Sequence, residues 1–227
     1  NYPRDLLGDM KKLEEANCDI LFFPSDNEIY PNNFQDRDYK FTSVLNILEG
    51  ERRPGHFQGV LNVVQILFEL IQPTRAYFGE KDYQQLWIIK FFTLTYRLPI
   101  IICPIQTIRD SDGLALSSRN KRLSVAQKKT AINLIIAIRA LKEKIEKHFK
   151  ESPSLLIEKN QLQKLRLQVL NSVLSNSSIK LDYFEIIEVE NFSFVTNLYR
   201  NQHYRVLIAA YIGEVRLIDN TAINEIC

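Results

Sequence analysis

The sequence has few of the residues that stabilise small secreted domains or hold metal ions. Only three cysteines and three histidines occur among its 227 residues. Cys18, Cys103 and Cys227 are far apart and form no C-x-x-C pair, which argues against a disulfide framework and a zinc site. The histidines are equally scattered, and none pairs with another at metal-ligand spacing. We therefore predict reduced thiols, a cytoplasmic protein and no metal held by its side chains.

Long hydrophobic runs and an excess of one charge are also absent. The formal net charge is +2, which is too close to neutral for a nucleic-acid groove. No apolar run approaches the length of about 20 residues that a membrane span needs. Hydrophobic residues make up 45% of the chain and charged residues 25%, which is typical of a packed fold. The composition thus predicts neither a nucleic-acid nor a membrane partner.

Candidate helices and strands alternate in the first half of the chain. The helical patterns cover residues 4–17, 59–71 and 83–96, and the strand patterns cover residues 19–24, 75–78 and 99–105. The stretch FTSVLNILEG predicts the end of a strand and a short helix that Gly50 terminates. Because strands and helices alternate, the sequence predicts an α/β fold with a parallel sheet and helices on its faces.

The second half has a different order of elements. A long helix begins at Ser124, which forms a predicted capping box with Gln127. Its predicted apolar stripe consists of Ala131, Leu134, Ile138, Leu141 and Ile145. A second helix is predicted at 154–175, followed by strands at 180–192, 204–213 and 214–220, with Gly213 in a tight turn. Helices followed by consecutive strands indicate a smaller α+β unit.

A polar cluster follows the candidate strand 75–78 in FGEKDYQQL. Gly79 lets the backbone approach a ligand, Lys81 suits a phosphate, and the N–H groups of the next helix favour an anion. Asp82 could cap that helix or bind a ribose hydroxyl, and the two following glutamines can both donate and accept hydrogen bonds. Ligands of open parallel sheets bind beyond the C-terminal ends of the strands, and this cluster lies at such an end. A simple capped turn explains the stretch, taken alone, about equally well.

A second polar cluster, RDSDGLALSSRN, occupies residues 109–120. Ser117, Ser118 and Arg119 offer two hydroxyls and a guanidinium, which suit a polyphosphate. The cluster lies where the two halves meet, and domain junctions are frequent ligand sites. An ordinary charged loop is the alternative.

A third cluster, LEGERRPGHFQGV, occupies residues 48–60. Pro54 and Gly55 predict a turn before the helix. Arg53 and His56 are either site groups or parts of that turn, and the pattern does not choose between them.

Several blocks of the sequence together resemble one enzyme family. In order they are YPRDLLGD, LFFPSDNEIYP, LEGERRPGHFQGVLNVVQILF, YFGEKDYQQL, DGLALSSRN and RLIDN. This series, which spans almost the whole chain, resembles the pantothenate synthetases, or pantoate–β-alanine ligases. The resemblance implies the C-terminal portion of a Rossmann-like nucleotide-binding domain of the nucleotidyltransferase type at residues 1–107, with its N-terminal part missing, a smaller α+β lid domain at residues 108–227, and a homodimer of the full-length protein.

The resemblance also implies a reaction in two steps. Pantoate and ATP, accompanied by Mg²⁺, would give pantoyl adenylate and pyrophosphate. The amine of β-alanine would then attack the adenylate and give pantothenate, a coenzyme A precursor, and AMP. No step needs a nucleophilic side chain, so the protein would act by alignment and by stabilising charge.

The matched blocks assign roles to individual residues. ATP would be bound by Gly79, Glu80, Lys81, Asp82, Ile108, Leu116, Ser117, Ser118 and Arg119. Within that set the catalytic residues would be Lys81, Ser117, Ser118 and Arg119. Pantoate would be bound by Gln85, Val63 and Val64.

The sequence departs from the family pattern in ways that bear on activity. The family has an H-x-G-H loop whose histidines act in adenylation, and no H-x-G-H occurs in these 227 residues. We therefore expect a fragment, or one of two chains, with little activity alone. Gln58 stands where the family usually has a basic residue, and Asn62 stands where it usually has Thr. Both differences change the side chains expected to contact substrate. The alternatives are another Rossmann-type nucleotidyltransferase and a non-catalytic remnant that serves as a binding module.

Overall fold

The computed structural model describes residues 5–30, 35–40, 42–152, 154–175 and 178–223. The helices are α1 (Leu6–Glu15), α2 (Asp26–Ile29), α3 (Glu49–Arg52), α4 (His56–Ile71), α5 (Tyr83–Thr95), α6 (Val125–Glu151) and α7 (Lys159–Val173). The strands are β1 (Arg75–Gly79), β2 (Ile101–Ile105), β3 (Leu156–Ile157), β4 (Ile179–Glu188), β5 (Ser193–Phe194), β6 (Leu198–Tyr199), β7 (Tyr204–Ile212) and β8 (Val215–Ile223). Within these ranges, no helix combines the length and apolar content needed to span a bilayer. Arg4, where the first helix is predicted to begin, and Cys227 lie outside the described residues.

A parallel pair of strands forms the centre of the first half. β1 pairs with β2 in parallel, from Arg75 opposite Ile101 to Gly79 opposite Ile105. Parallel neighbours need a crossover, and α5 supplies it between the two strands. The predicted parallel α/β arrangement is therefore confirmed for these elements.

The predicted strand at residues 19–24 is wrong. These residues form neither helix nor strand, and Ile20 and Phe23 are 83% and 67% exposed. A strand requires a neighbour that satisfies its backbone N–H and C=O groups. β1 and β2 pair with each other, and no described strand pairs with this run. Apolar composition alone therefore misassigned the segment.

Gly50 does not terminate a helix, and no strand ends in the described part of the stretch before it. Residues Ser43–Asn46 form a 3-10 turn, and Gly50 is a buried member of α3. A Cβ on Gly50 would lie 2.0 Å from the carbonyl oxygen of Leu45. Glycine is therefore required here because the helix backbone approaches the preceding turn closely.

The predicted helix at residues 154–175 begins later than expected. Leu156 and Ile157 form β3, which pairs antiparallel with β6, and α7 starts at Lys159. Asn197 accepts a hydrogen bond from the N–H of Lys159 over 2.9 Å at the start of α7. Pairing with a strand about 40 residues away is invisible to a local helical pattern.

The second half packs α6 and α7 against an antiparallel sheet. The sheet order is β5-β4-β7-β8, and Gly213 makes the β7–β8 turn with a φ of +58°. Ser124 and Gln127 form the predicted capping box of α6. All five residues of the predicted α6 stripe are buried in the core.

β7 is covered on both faces, which joins the two halves. One core cluster contains only residues from Leu114 onward and includes Val206 and Ile208. The other consists mainly of residues between Tyr39 and Phe92, but also includes Leu207. Successive strand residues point to opposite faces, so Leu207 faces the first half while its neighbours face α6. The site described below lies along this junction.

Candidate active site

The turn after β1 presents Lys81 and Asp82 in front of α5. Gly79 ends the strand, and Glu80–Asp82 form one turn of 3-10 helix. An added Cβ on Gly79 would meet nothing within 4 Å, so open space faces this part of the backbone. Asp82 stands at the N-cap position of α5 but makes no capping hydrogen bond with its side chain. The capped-turn explanation of this stretch therefore does not account for Asp82.

The two glutamines that follow differ in their surroundings. Gln84 is buried and donates to the carbonyls of Val44 and Ile47, both over 2.8 Å. Its Oε1 accepts from the N–H of Glu49 over 3.1 Å. Gln84 therefore holds the 3-10 turn and the start of α3, whereas Gln85 is only partly buried and lines the adjoining cavity.

One cavity brings together the turn after β1 and the start of α4. Its lining includes Lys81, Asp82 and Gln85 from the turn and α5, and Arg53 and His56 from the segment that leads into α4. Residues of β4, β7 and β8 close it from the second half of the chain. The predicted groups Lys81, Asp82 and Gln85 thus share one cavity with Arg53 and His56, whose role the sequence left open.

Arg53 and His56 form a pair in this cavity. The guanidinium Nη1 of Arg53 lies 2.9 Å from Nε2 of His56, so this ring nitrogen accepts and the proton resides on Nδ1. Burial, and then the charge of Arg53, lower the pKa of His56 below its ordinary value. His56 is therefore neutral at pH 7, and Arg53 remains the positive group on this wall.

The loop at residues 109–120 forms a second cavity next to the first. Its lining includes Lys81 together with Ser117 and Arg119. Ser117 accepts from the N–H of Arg119 over 3.3 Å, and Asn120 donates to the carbonyl of Ala115 over 3.0 Å. Lys81 therefore lines both cavities and lies between the pantoate-side and phosphate-side residues predicted from the sequence.

Other predicted residues lie further from this centre. Leu116 and Ser118 are exposed and line an open groove beside α1. Ile108 is 68% exposed, and its carbonyl accepts from the N–H of Leu116 over 2.9 Å. Val63 is partly buried and Val64 is buried, and both pack into the core cluster of the first half. Neither valine lines the cavity that contains Gln85.

Gln58 and Asn62, which depart from the family pattern, bind a neighbouring segment. Gln58 donates to the carbonyl of Tyr39 over 2.7 Å and accepts from its N–H over 3.0 Å. Asn62 likewise accepts from the N–H of Arg37 over 3.0 Å. Gln58 and Asn62 are four residues apart and so lie on one face of α4. Their partners Tyr39 and Arg37 are two residues apart, and two residues of extended chain span about the same distance. Their hydrogen-bonding groups serve the fold.

The site contains an ion-pair network that the sequence did not reveal. Glu49 accepts from both terminal nitrogens of Arg216, over 2.7 and 2.8 Å, and from the Tyr183 hydroxyl over 2.7 Å. Arg216 also donates to Asp182 over 2.8 Å. Burial by itself raises the pKa of Glu49, but the bonds from Arg216 and Tyr183 outweigh burial and hold the pKa below its ordinary value. Only tertiary folding brings together groups that are 134 and 167 residues from Glu49 along the chain.

Asp219 and Asn220, in the block RLIDN, are further functional candidates, to which the sequence alone assigned no role. They are 4% and 5% exposed, and both line the first cavity. Their residue types indicate that they need hydrogen-bond partners, because a carboxylate and an amide at adjacent positions of an apolar strand are buried. The identity of those partners required the structure.

The described residues contain no cluster that could form a metal cage. No group of three or more His, Cys, Asp or Glu side chains comes together in this part of the chain. Mg²⁺ commonly binds through substrate phosphates and water with few protein ligands, so this donor set fits Mg²⁺ carried by ATP.

The family of the chain follows from comparison with known proteins. The family model described as pantoate-beta-alanine ligase matches residues 1–222. The chain belongs to this family. It is therefore an enzyme, a ligase of pantothenate biosynthesis, and its relatives bear out the resemblance found in the sequence blocks.

Individual ligases of this family align over nearly the whole chain. The pantothenate synthetase of Bacteroides thetaiotaomicron is 36% identical over 227 residues, which cover 99% of this chain and 75% of the relative. That of Christiangramia forsetii is 38% identical over 225 residues, with the same two coverages of 99% and 75%. The chain thus spans three quarters of the length of these relatives.

Solved structures of pantoate–β-alanine ligases share the fold. The pantothenate synthetase from Thermus thermophilus has a TM-score of 0.84 at 37% identity, covering 97% of this chain and 75% of that one. The Francisella tularensis ligase, complexed with beta-gamma ATP and β-alanine, has a TM-score of 0.69 at 33% identity, covering 97% and 70%. The α/β fold with a parallel sheet and a second, antiparallel unit is confirmed.

Proposed function

We propose that the protein joins pantoate to β-alanine at the expense of ATP, through a pantoyl adenylate. The observation that carries this proposal is the position of Lys81. It lines both the cavity that contains Gln85 and the cavity that contains Ser117 and Arg119. A cation between an acid-binding and a phosphate-binding segment is suited to the attack of a carboxylate oxygen on the α-phosphorus, in which the bond to the β-phosphate breaks and pyrophosphate leaves.

The first step is adenylation of pantoate. Gln85 holds the acid by hydrogen bonds. Val63 and Val64 do not line the cavity that contains Gln85, so they support its apolar wall only from the core cluster of the first half. Lys81, Ser117, Ser118 and Arg119 bind phosphate oxygens and stabilise the charge that develops on pyrophosphate as it leaves. Gly79, Glu80, Asp82, Ile108 and Leu116 hold the rest of the nucleotide, with Asp82 on the ribose. Mg²⁺ supplies further charge neutralisation on the phosphates when it is bound.

The second step transfers the pantoyl group. The amine of β-alanine forms an amide bond at the acyl carbon, the bond to the AMP phosphate breaks, and the amine loses a proton. Arg53 carries a guanidinium that suits the carboxylate of β-alanine, and it lies in the same cavity as Gln85. The neutral His56 beside it can accept a proton only through the nitrogen that now faces Arg53.

Several finer features belong to the same proposal. We propose that residues 1–107 serve as the nucleotide-binding part and residues 108–227 as the lid. The ligase is expected to form a homodimer, which sedimentation analysis checks.

Because the 227 residues contain no H-x-G-H, they are expected to show little turnover by themselves, and full pantothenate synthesis by this chain alone would contradict that expectation.

The decisive experiment is pantoate-dependent exchange of labelled pyrophosphate into ATP, measured with the native ligase. The exchange should require pantoate and should fall about 100-fold in Lys81→Ala, because an electrostatic contact to the transferred group is lost. Lys147→Ala is the matched control, since Lys147 is exposed and pairs only weakly with Glu151 over 3.7 Å on α6.

Each alternative function predicts a different result in this assay. Exchange that proceeds without pantoate would favour another nucleotidyltransferase. Absence of both exchange and ATP binding would favour a non-catalytic module. Equal exchange in Lys81→Ala and Lys147→Ala would refute the assigned site.

A further inference from the structure

Two adjacent polar residues of β8 connect the antiparallel sheet to both predicted ATP-binding segments. Asp219 and Asn220 are almost fully buried, although the strand around them is largely apolar. Burial of such groups costs free energy unless each is hydrogen-bonded. The groups that bind Asp219 and Asn220 therefore explain why two polar side chains occur at this point of β8.

Asn220 binds the backbone of the turn that carries Lys81. Its Nδ2 donates to the carbonyl of Glu80 over 2.9 Å and to the carbonyl of Lys81 over 3.0 Å. Its Oδ1 accepts from Nη1 of Arg205 over 2.7 Å. An amide has two N–H donors, and both are used on consecutive carbonyls. This arrangement fixes the orientation of two peptide planes at the turn.

Arg205 on β7 supports the same turn from a buried position. It is 3% exposed, and one of its terminal nitrogens lies 3.5 Å from the Glu80 carboxylate. Its guanidinium lies 3.9 Å from the centre of the Tyr83 ring. The turn is thus held through the backbone by Asn220 and through side chains by Arg205.

Asp219 binds the other segment, the loop at residues 109–120. Its two carboxylate oxygens accept from Arg109 over 2.7 and 2.8 Å, in a two-pronged ion pair. Arg109 also donates to the carbonyl of Gly113 over 3.0 Å, which braces the loop from within. Asp219 itself is oriented by the N–H of Asn220, which donates to Oδ1 over 2.8 Å.

We propose that Asp219 and Asn220 are positioning residues for ATP, which set the distance between the Lys81 turn and the Ser117–Arg119 loop. The inference rests on the proposed function, because it assumes that both segments bind one nucleotide. A rigid strand that holds both segments at adjacent residues keeps their separation constant. Phosphate contacts from Lys81 and Arg119 then form without a further ordering cost.

The test is the Asn220→Asp variant of the native ligase. Aspartate has the same shape and keeps the acceptor for Arg205, but it has no N–H to donate and places a charge next to two carbonyls. The apparent KM for ATP should rise about 10-fold, equivalent to about 1.4 kcal/mol, and should rise more than the KM for β-alanine. Amide hydrogen exchange at residues 80–83 should become faster.

Asp219→Asn provides an independent variant that acts on the loop. It weakens the pairing with Arg109, so it should also raise the KM for ATP, while exchange should become faster at residues 110–116. Asn197→Asp is the matched control, because Asn197 uses its Oδ1 to accept from Lys159, and aspartate retains that acceptor. If Asn220→Asp does not fold, Asn220→Ala removes both donors without adding a charge and gives the same readout.

The outcomes separate the inference from the function on which it rests. Folded Asn220 and Asp219 variants with unchanged KM for ATP would overturn the inference alone. A uniform fall in kcat with both KM values unchanged would show a loss of folded protein and would also overturn it. Failure of the wild-type ligase to bind ATP would overturn the proposed function together with the inference.

Discussion

At the residue scale, the pair Gln84 and Gln85 shows how neighbouring identical residues take different roles. A helix turns by about 100° per residue, so adjacent side chains cannot share one set of partners. Gln84 is directed into the protein and binds three backbone groups, whereas Gln85 reaches the cavity. One glutamine is expected to matter for stability and the other for substrate.

Replacing each glutamine by alanine separates the two roles. Gln84→Ala should lower the free energy of unfolding by about 2–4 kcal/mol, because one buried and two partly buried backbone groups lose their partner. Gln85→Ala should leave the unfolding midpoint nearly unchanged and raise the KM for pantoate. Urea denaturation and initial-rate kinetics measure the two effects, and the reverse pattern would contradict the assignment.

At the element scale, two glycines show how backbone conformation and neighbouring atoms decide whether a position tolerates a Cβ. Gly213 turns β7 into β8 with a φ of +58°, and an added Cβ would lie 2.6 Å from Nε2 of Gln127. Gly59 lies within α4, and an added Cβ there meets nothing within 4 Å. The same change from glycine to alanine is thus strained at one position and unhindered at the other.

Opposite effects on stability are therefore expected from these two substitutions. Gly213→Ala should destabilise the protein by about 1–2 kcal/mol, since a left-handed backbone and a close contact both oppose the Cβ. Gly59→Ala should stabilise it by about 0.5–1 kcal/mol, through higher helix propensity and a less flexible unfolded chain. Thermal unfolding of both variants provides the check, and a shift of the same sign in each would refute the explanation.

At the scale of the whole molecule, the two halves are joined by charge as well as by the apolar face of β7. Glu49 belongs to α3, while Asp182, Tyr183 and Arg216 belong to β4 and β8. Arg52 adds a second link, because its Nε lies 2.9 Å from the Asp182 carboxylate. An acidic residue paired in this way makes the stability of the junction depend on pH.

Acid should weaken this junction. The pKa of Glu49 is lowered in the folded protein, so unfolding raises it and the unfolded state binds the proton more readily. The stabilisation is therefore complete above the ordinary value of 4.5 and is lost as the pH falls below it, through the folded pKa. Urea midpoints measured between about pH 3 and pH 7 should follow this course.

Glu49→Gln tests which group is responsible. The variant should be less stable near neutral pH and should lose less stability on acidification, because the titrating carboxylate is gone. Glu151→Gln is the matched control, since Glu151 is exposed in a surface pair with Lys147, which contributes little. An acid dependence unchanged in Glu49→Gln would contradict the explanation.

Local sequence was sufficient for elements whose cause is local. The capping box at Ser124 and Gln127, the α6 stripe and the turn at Gly213 all follow from side-chain chemistry and from spacing along the chain. It was insufficient where a partner decides the outcome. The apolar run at residues 19–24 has the composition of a strand but has no strand beside it among those described, and Leu156 leaves a helical pattern to pair with Tyr199.

The order of the motif blocks in the sequence was enough to indicate the family and the residues expected to bind ATP and pantoate. Tertiary structure decided which of these residues meet, because Lys81 and Gln85 follow β1 whereas Arg119 belongs to the loop at residues 109–120, and packing against β8 brings these two segments to neighbouring cavities. It also decided the partners of Glu49, Asp219 and Asn220. A buried polar residue indicates by its type that it needs a partner, but the partner lies wherever the fold places it.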